Sequence, residues 1–592
     1  MVAALGCTLM HGPPAQATPP VTEAPVAVGR GGAAATVDID ATRVAIDVLR
    51  HGGNAVDAAV AAAATLGVTE PFSSGLGGGG FFMFYDARTK KVHTIDGREA
   101  SPRAMQQDEF INPATGQPYA FQEARVSGIS VGVPGTPQTW QTALRKWGTI
   151  SLREALRPAI KIAQRGFVVD QTFVNQISDN HAAFSQFSST RALYLPDGAP
   201  PAVGSTFRNR DLAQTYRVLS KQGMGAFYRG ELAADIVRTV QRPPVVATPS
   251  APWQFEIRPG TLRASDLAGY DVRTPRPTHM RYRGYDVYGM PTPSSGGSTV
   301  GEGLNIVENW DLGDLSRTQA LHRYLEASAL AFADRNRYVG DNTPRALLDE
   351  LLSQRFARER ACQINPNSAL TKPVAPGVPD GSYSRCPVAA PAMVRTDERG
   401  TTHLTVADRR GNVVAYTLTI EQIGGNAMVV PGRGFLLNNE LTDFNFTPTQ
   451  GTAPDPNLPA PGKRPRSSMA PTILLADGKP FLALGSPGGS TIITTVFQIL
   501  INRIDLGMRL PEAVAAPRAT QRNTTAVLAE PAFVRSQGAG LTALGHTVTQ
   551  ITPSPEIGAA TAVEFLPNGQ VLAVAEPTRR GGGSAAVARP SQ

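Results

Sequence analysis

The chain has 592 residues, 41% of them hydrophobic and 7% aromatic, and a net charge of +8. That length suggests roughly four domains by the usual prior and is enough for a sizeable core. The basic residues are dispersed, which reads as solubility charge and argues against nucleic-acid binding; no apolar run reaches the about 18 residues of a membrane-spanning helix.

Taken from the N-terminus, Cys7 follows Val-Ala-Ala-Leu-Gly, like the tail of a truncated lipoprotein signal. An ordinary cysteine is the competing reading. Residues 1–30, with the Pro-rich stretch Pro13 to Pro25, are expected to be a disordered spacer after such an anchor. Asp38 to Leu49 has helical periodicity, and Gly52-Gly53 ends it. Asn54 can cap the next helix, Ala55 to Leu66, which is almost all Ala and Val and is expected to be buried on every side. The glycines of Gly75-Leu76-Gly77-Gly78-Gly79-Gly80 lack the Lys-Ser/Thr of a phosphate loop, so close backbone packing before a strand from Phe81 to Tyr85 is the better reading. A hairpin through Lys90-Lys91 then reaches Arg98. There a surface ion pair competes with bidentate capture of a carboxylate.

Leu152 to Ala163 and His322 to Arg337 have amphipathic helical spacing, and Arg242 to Pro259 and Asn365 to Met393 read as loops. Cys362 and Cys386 flank a loop just before Thr401 and are either a disulfide of an exported protein or two unrelated thiols. That loop leads into Gly400-Thr401-Thr402-His403. Thr401 to Val406 and Val413 to Ile420 form a predicted hairpin around Asp408-Arg409-Arg410-Gly411-Asn412. A turn centred near Arg410 sets Thr401 opposite Thr419, roughly 5 Å apart at Cβ, and puts Glu421 on the same face. A threonine hydroxyl needs an adjacent base, and the α-amine of an N-terminal threonine is one. The idea requires cleavage after Gly400, whose missing side chain leaves its carbonyl open to attack. Taken alone, the segment is ordinary strand sequence.

Glu440 and Asp443 flank one turn. Solvated loop acids compete there with an ammonium-binding or acid/base pair. A second hairpin, Ser468 to Leu475 and Phe481 to Leu484, turns at Asp477-Gly478; counting outward pairs Ser467 with Gly488 and Ser468 with Pro487. A helix from Ile492 to Ile504 follows Gly488-Gly489-Ser490. Freed backbone N–H groups there suit an oxyanion, and a plain strand-to-helix turn is the competing reading. Together these are ingredients for acyl transfer.

From about Gly31 to Val587 the chain resembles the γ-glutamyltranspeptidase (glutathione hydrolase) family. The resemblance rests on GGNAVDAAVAAAATLGVTEPFSSGLGGGGF, IDGREASP, the TTH hairpin, LLNNELTDF, KRPRSSMAPT and GSPGGSTIITT. It implies an α+β fold of the N-terminal-nucleophile hydrolase type. This is a four-layer αββα sandwich, one compact unit made from a large subunit (31–400) and a small catalytic subunit (401–592) by autocatalytic cleavage of a zymogen. It also implies that Thr401 is the nucleophile supported by Thr419. Arg98, Ser467 and Ser468 would hold the donor α-carboxylate, and Glu421, Glu440 and Asp443 its α-ammonium. Gly488 and Gly489 would form the oxyanion hole. No metal or organic cofactor is implied. The partners are a small γ-glutamyl donor and an amino-acid or peptide acceptor, and the location is extracytoplasmic or secreted.

Glu421 and Glu440 stand where many members have amides, and Arg466 is expected to add charge beside the serines. Ile423-Gly424-Gly425-Asn426-Ala427-Met428 replaces the family's usual Gly-Thr/Ser-Gly element, which alters the loop beside the site. The segment between Asp443 and Ser467 is intermediate in length and lacks the tyrosine that closes the pocket in some members, so a more open pocket is expected. Rival readings are a cephalosporin-acylase-like relative, against which the retained Arg98, Asp443 and serines argue, and a non-catalytic envelope binding protein.

Overall fold

The computed structural model describes residues 21–383, 400–552 and 556–591. Twelve strands build its centre: β1 (Val26–Thr36), β2 (Gly79–Asp86), β3 (Lys91–Gly97), β4 (Thr278–Tyr282), β5 (Tyr285–Gly289), β6 (Thr402–Asp408), β7 (Val413–Thr419), β8 (Thr472–Ala476), β9 (Lys479–Gly485), β10 (Thr561–Phe565), β11 (Val571–Ala575) and β12 (Ser584–Pro590). Their order is β3-β2-β7-β6-β1-β11-β10-β9-β8-β5-β4, with β12 also paired to β1. Strands from before and after Gly400 alternate along this path. The parts before and after Gly400 are therefore joined by shared sheets.

β1 is the seam. Val26 to Gly29 pair with β11 and Gly32 to Ala35 with β6. The register along β12 breaks between Arg30 and Ala33, where Gly31 and Gly32 have φ of 85° and 123°. Two left-handed glycines make this bulge accessible and let one strand pass from one sheet to the other.

Alternation along the strands defines the layers. Phe82, Phe84, Leu404, Val406, Val414, Tyr416 and Leu418 enter one core with α1 (Ile39–Arg50), α2 (Ala55–Thr69), α3 (Thr136–Trp147) and α4 (Leu152–Arg165). Phe81, Met83, Tyr85, Ala407, Val413 and Ala415 enter a second core. That core also holds both faces of β8 and β9 and the helices α5 (Gly296–Val307), α6 (Arg317–Tyr338) and α7 (Thr491–Ile504). Helices, sheet, sheet and helices thus stack as the expected αββα sandwich.

The local reasons are those of the sequence. Asp38 and Asn54 accept from the first-turn N–H groups of α1 and α2, and every residue of α2 is buried. Gly77 and Gly78 pack against backbone: a Cβ there would lie 1.9 Å from Leu436 O and 2.0 Å from Thr419 O. The glycine run is therefore a packing device.

Several expectations are corrected. Val26 to Arg30, assigned to the spacer, lie in β1, because β11 and β12 supply pairing partners. The helix containing His322 to Arg337 is buried on nearly all sides and is not amphipathic, because it runs through the second core. The described part of the 365–393 loop is pinned: Leu370 N–H donates to Glu326, Val374 N–H to Asn523 and Gly377 N–H to Asp334. Cys362 is disulfide-bonded. Cys7 and Cys386 lie outside the described residues.

Candidate active site

The first hairpin keeps one register from Thr402↔Leu418 to Ala407↔Val413. Asp408 locks its turn, accepting from Arg410 N–H and Asn412 N–H, and reaches Ala55 N–H at the start of α2. Thr401 and Thr419 therefore sit opposite each other just beyond the paired strands, at the mouth of the space between the sheets, with their hydroxyl oxygens 3.0 Å apart. Thr401 is buried and has φ of 98°, and Glu421 has φ of 76°. A positive φ at a β-branched residue is a strained conformation. Gly400 is obligatory here, since a Cβ on it would lie 1.4 Å from Glu421 O. The scissile-bond candidate is thus strained on one side and sterically restricted to glycine on the other.

His403 is two residues away and is not a base for Thr401. It bonds Thr417 and Thr405 hydroxyls, and burial pushes its pKa down to about 3.

Arg98, Gly400, Thr401, Thr419, Glu421, Glu440, Asp443, Ser467, Ser468, Met469, Gly489 and Ile492 line one cleft. Every predicted site residue except Gly488 is among them. Gly488 is next to Gly489 in the turn before α7, with φ of 130° and 57° respectively. Its carbonyl accepts the Thr491 hydroxyl, and among the described residues neither glycine N–H donates to a protein acceptor.

Arg98 is buried, and its fork bridges Glu440 and Asp443. Pro465 O and Arg466 O accept from its Nε and Nη2 at 3.1 and 3.2 Å, which fixes the guanidinium plane. Glu421 is held by Asn439 Nδ2 and by Gln422 Nε2. Asn439 Oδ1 also accepts Gln422 N–H, so this asparagine joins the turn bearing Glu440 to the end of β7.

The second hairpin corrects the predicted register. Its turn is as expected, with Asp477 and Gly478 at φ of 50° and 71°. A bulge between Leu474 and Leu475 then shifts the pairing by one residue, and the strand ends at Thr472. Ser467 instead bridges to Ser294. Arg466 is also corrected: its Nη1 donates to Val339 O at 3.2 Å, at the C-terminal end of α6, and it does not line the cleft. That end carries negative partial charge, which suits a guanidinium.

Two further polar residues escaped the sequence reading. Arg335 on α6 donates to Ser468 Oγ at 2.7 Å. Arg580 Nη1 donates to Thr401 O at 2.7 Å and its Nη2 to Ser73 Oγ at 3.1 Å. Only a contact map joins them to the site, because they are 133 and 179 residues from their partners. A buried arginine in a helix is itself a signal, since isolated buried charge is costly.

Among the described residues, those with metal-ligand composition are His322, Glu326 and His546. None lines the cleft. The Lys372 ammonium already sits on Glu326, and the two imidazoles bond each other at 2.7 Å.

The gamma-glutamyltranspeptidase family matches residues 41–586. The chain belongs to this family. It is 38% identical to the glutathione hydrolase proenzyme of Bacillus subtilis strain 168 over 567 residues, covering 94% of this chain and 92% of that one. Among solved structures it resembles the cephalosporin acylase of Bacillus halodurans, with a TM-score of 0.81, 27% identity and 98% and 99% of the two chains covered. It also resembles the γ-glutamyltranspeptidase of Helicobacter pylori, with a TM-score of 0.52, 29% identity and 56% and 91% covered. Family membership gives the activity: transfer or hydrolysis of γ-glutamyl groups, as in glutathione hydrolase.

Proposed function

We propose that the chain is a zymogen cut between Gly400 and Thr401, and that the freed Thr401 is the nucleophile of the mature enzyme. In the cut, Thr401 Oγ attacks the Gly400 carbonyl and the peptide C–N bond breaks. Water then hydrolyses the resulting ester, leaving a Gly400 carboxylate and a free Thr401 amine. That amine is the base that takes the Thr401 hydroxyl proton during turnover. Attack on a γ-glutamyl amide gives a γ-glutamyl ester and releases the amine; water or an acceptor amine resolves the ester. The observation that carries this reading is the 3.0 Å contact of the Thr401 and Thr419 hydroxyls at a strained Thr401, next to a fixed arginine fork.

Arg98 with Ser467 and Ser468 binds the donor α-carboxylate, and Glu421, Glu440 and Asp443 bind its α-ammonium. Arg98 stands between Glu440 and Asp443. A zwitterionic α-amino acid complements this mix of a guanidinium and carboxylates, which favours it over a plain acyl group. Gly488 and Gly489 supply the oxyanion N–H groups. The cleft has no lining residue between 444 and 466, which supports an open pocket for larger γ-glutamyl donors. Asn457 instead ties this loop back to Asp443 O and Arg466 N–H.

The disulfide at Cys362 supports an oxidising, extracytoplasmic location, and the Val-Ala-Ala-Leu-Gly before Cys7 supports a lipid anchor there. Among the described residues no helix is long and apolar enough to cross a membrane. Cell fractionation with and without Cys7→Ala tests this.

Subunit masses and turnover of a γ-glutamyl anilide test the central reading. Wild type is expected to give two chains split after Gly400, and Thr401→Ala one inert chain. Product release by Thr401→Ala would overturn it. The likeness to a cephalosporin acylase supports a second reading, removal of the side-chain acyl group of a cephalosporin. A preference for a cephalosporin over a γ-glutamyl anilide would favour that reading.

A further inference from the structure

Behind the two cleft serines lies the last turn of α6, and Arg335 projects from it. This arginine is 6% exposed and does not line the cleft. Its Nη2 donates to Ser468 Oγ at 2.7 Å, its Nε to Ser295 Oγ at 2.9 Å, and its Nη1 to Asn336 Oδ1 at 2.9 Å. Ser295 in turn holds the Ser467 carbonyl twice, through its hydroxyl at 2.7 Å and its N–H at 2.8 Å. Ser467 Oγ accepts Met469 N–H at 3.2 Å.

Proton inventory gives this arrangement a direction. A guanidinium donates only and cannot give up its charge in a protein; a serine hydroxyl carries one hydrogen and two lone pairs. With a lone pair of Ser468 occupied by Arg335, the hydroxyl hydrogen must point away from the arginine. Ser467, accepting from Met469 N–H, is biased the same way. Two hydroxyls lining one cleft thus keep their hydrogens turned away from these donors and able to donate into it, which suits an anion.

We propose that Arg335 is a positioning residue for recognition of the donor α-carboxylate. It orients the Ser468 hydroxyl as a donor and, through Ser295, fixes the backbone at Ser467, while its charge sits one layer behind the anion. This rests on the reading that Ser467 and Ser468 bind that carboxylate. It adds a residue that touches no substrate atom and that Arg98 does not replace.

The test uses the processed enzyme, with cleavage checked by subunit mass. KM and kcat are measured on a γ-glutamyl anilide, with competitive inhibition by glutamate and by 4-aminobutyrate, which lacks the α-carboxylate. Arg335→Met is expected to raise KM and the glutamate inhibition constant together, by about tenfold, the scale of one lost charged hydrogen bond. The expected change in kcat and in 4-aminobutyrate inhibition is less than about twofold. Ser468→Ala should do the same, and the double variant should be little worse than either single, because the two residues act through one hydrogen bond. Equal weakening of glutamate and 4-aminobutyrate, or multiplied effects in the double variant, would overturn the proposal. If Arg335→Met fails to process, Arg335→Lys and Ser295→Ala carry the same inhibitor comparison. Arg335→Lys keeps the charge but not the fork, so an intermediate loss selective for glutamate is expected; an unselective loss in both variants overturns the proposal. An inactive wild type, or an unchanged KM in Ser468→Ala, would instead sink the underlying reading of the serines.

Discussion

The two hairpins of the small segment look alike in sequence and deliver site residues in different ways. In the first, pairing is unbroken from the turn to Thr402, so the distance from turn to Thr401 is set by strand geometry alone. In the second, a bulge at Leu474 and Leu475 and an early end at Thr472 cut Ser467 and Ser468 loose from the ladder. Their positions are set by Ser294, Ser295 and Arg335, residues far away in the chain. A threonine held by a ladder depends on backbone; a serine held by side chains depends on a network.

The largest expected effect lies in the ladder-held region. Gly78→Ala places a Cβ 2.0 Å from Thr419 O, a backbone atom that cannot turn aside. Overpacking of this kind costs about 3 kcal/mol or more, and it should displace Thr419 and abolish or severely slow cleavage, read by subunit mass. Normal cleavage would break the view that backbone fit positions Thr401 and Thr419. Next, Thr419→Val keeps shape and removes the hydroxyl facing Thr401. Cleavage and anilide turnover are expected to fall by at least about tenfold, the value of a lost hydrogen bond to a reacting group.

A third prediction concerns pH and the floor beneath Arg98. Glu99 is fully buried, neither of its carboxyl oxygens has a hydrogen-bond partner among the described residues, and burial raises its pKa from 4.5 to about 8. A carboxyl raised on folding holds its proton in the native state while the unfolded chain releases it. Stability is therefore fullest below about pH 4.5 and falls as pH rises toward about 8, by at most about 1.4 kcal/mol per unit. Glu99→Gln should flatten this part of the melting-temperature profile. An identical profile in the variant would show that Glu99 does not titrate as described.

The smallest effect belongs to the far end of the second hairpin. Gly478→Ala meets no atom within 4 Å but must adopt φ of 71°. A loss of about 1 kcal/mol in stability with unchanged KM is expected, because the bulge separates this turn from the serines. A raised KM would show that the turn does transmit its register to them, and would erase the contrast between the hairpins.

Much was legible in the sequence because it depends on short-range rules. Asn54 as a cap, the all-buried α2, the Gly77-Gly78 packing and the Thr401–Thr419 pairing each follow from residue type and counting. The resemblance to γ-glutamyltranspeptidases supplied the layered fold and the list of site residues. The bulge in the second hairpin was not legible, since Pro480 and Leu475 form a pair whose irregularity depends on neighbours in β5 and β10. The side chain of Arg466 was misplaced for a similar reason: adjacency to Ser467 says nothing about the carbonyls at the end of α6 that it meets.

The sequence by itself determined the elements, the caps, the left-handed glycines and the face on which Thr401 sits, because backbone sterics and side-chain period are local. The tertiary structure decided which charges meet. It put Arg98 between Glu440 and Asp443, Arg335 behind Ser468 and Arg580 on the carbonyl of Thr401. These contacts span more than a hundred residues, and burial makes each of them matter, since a charge removed from water must find its partner in the fold.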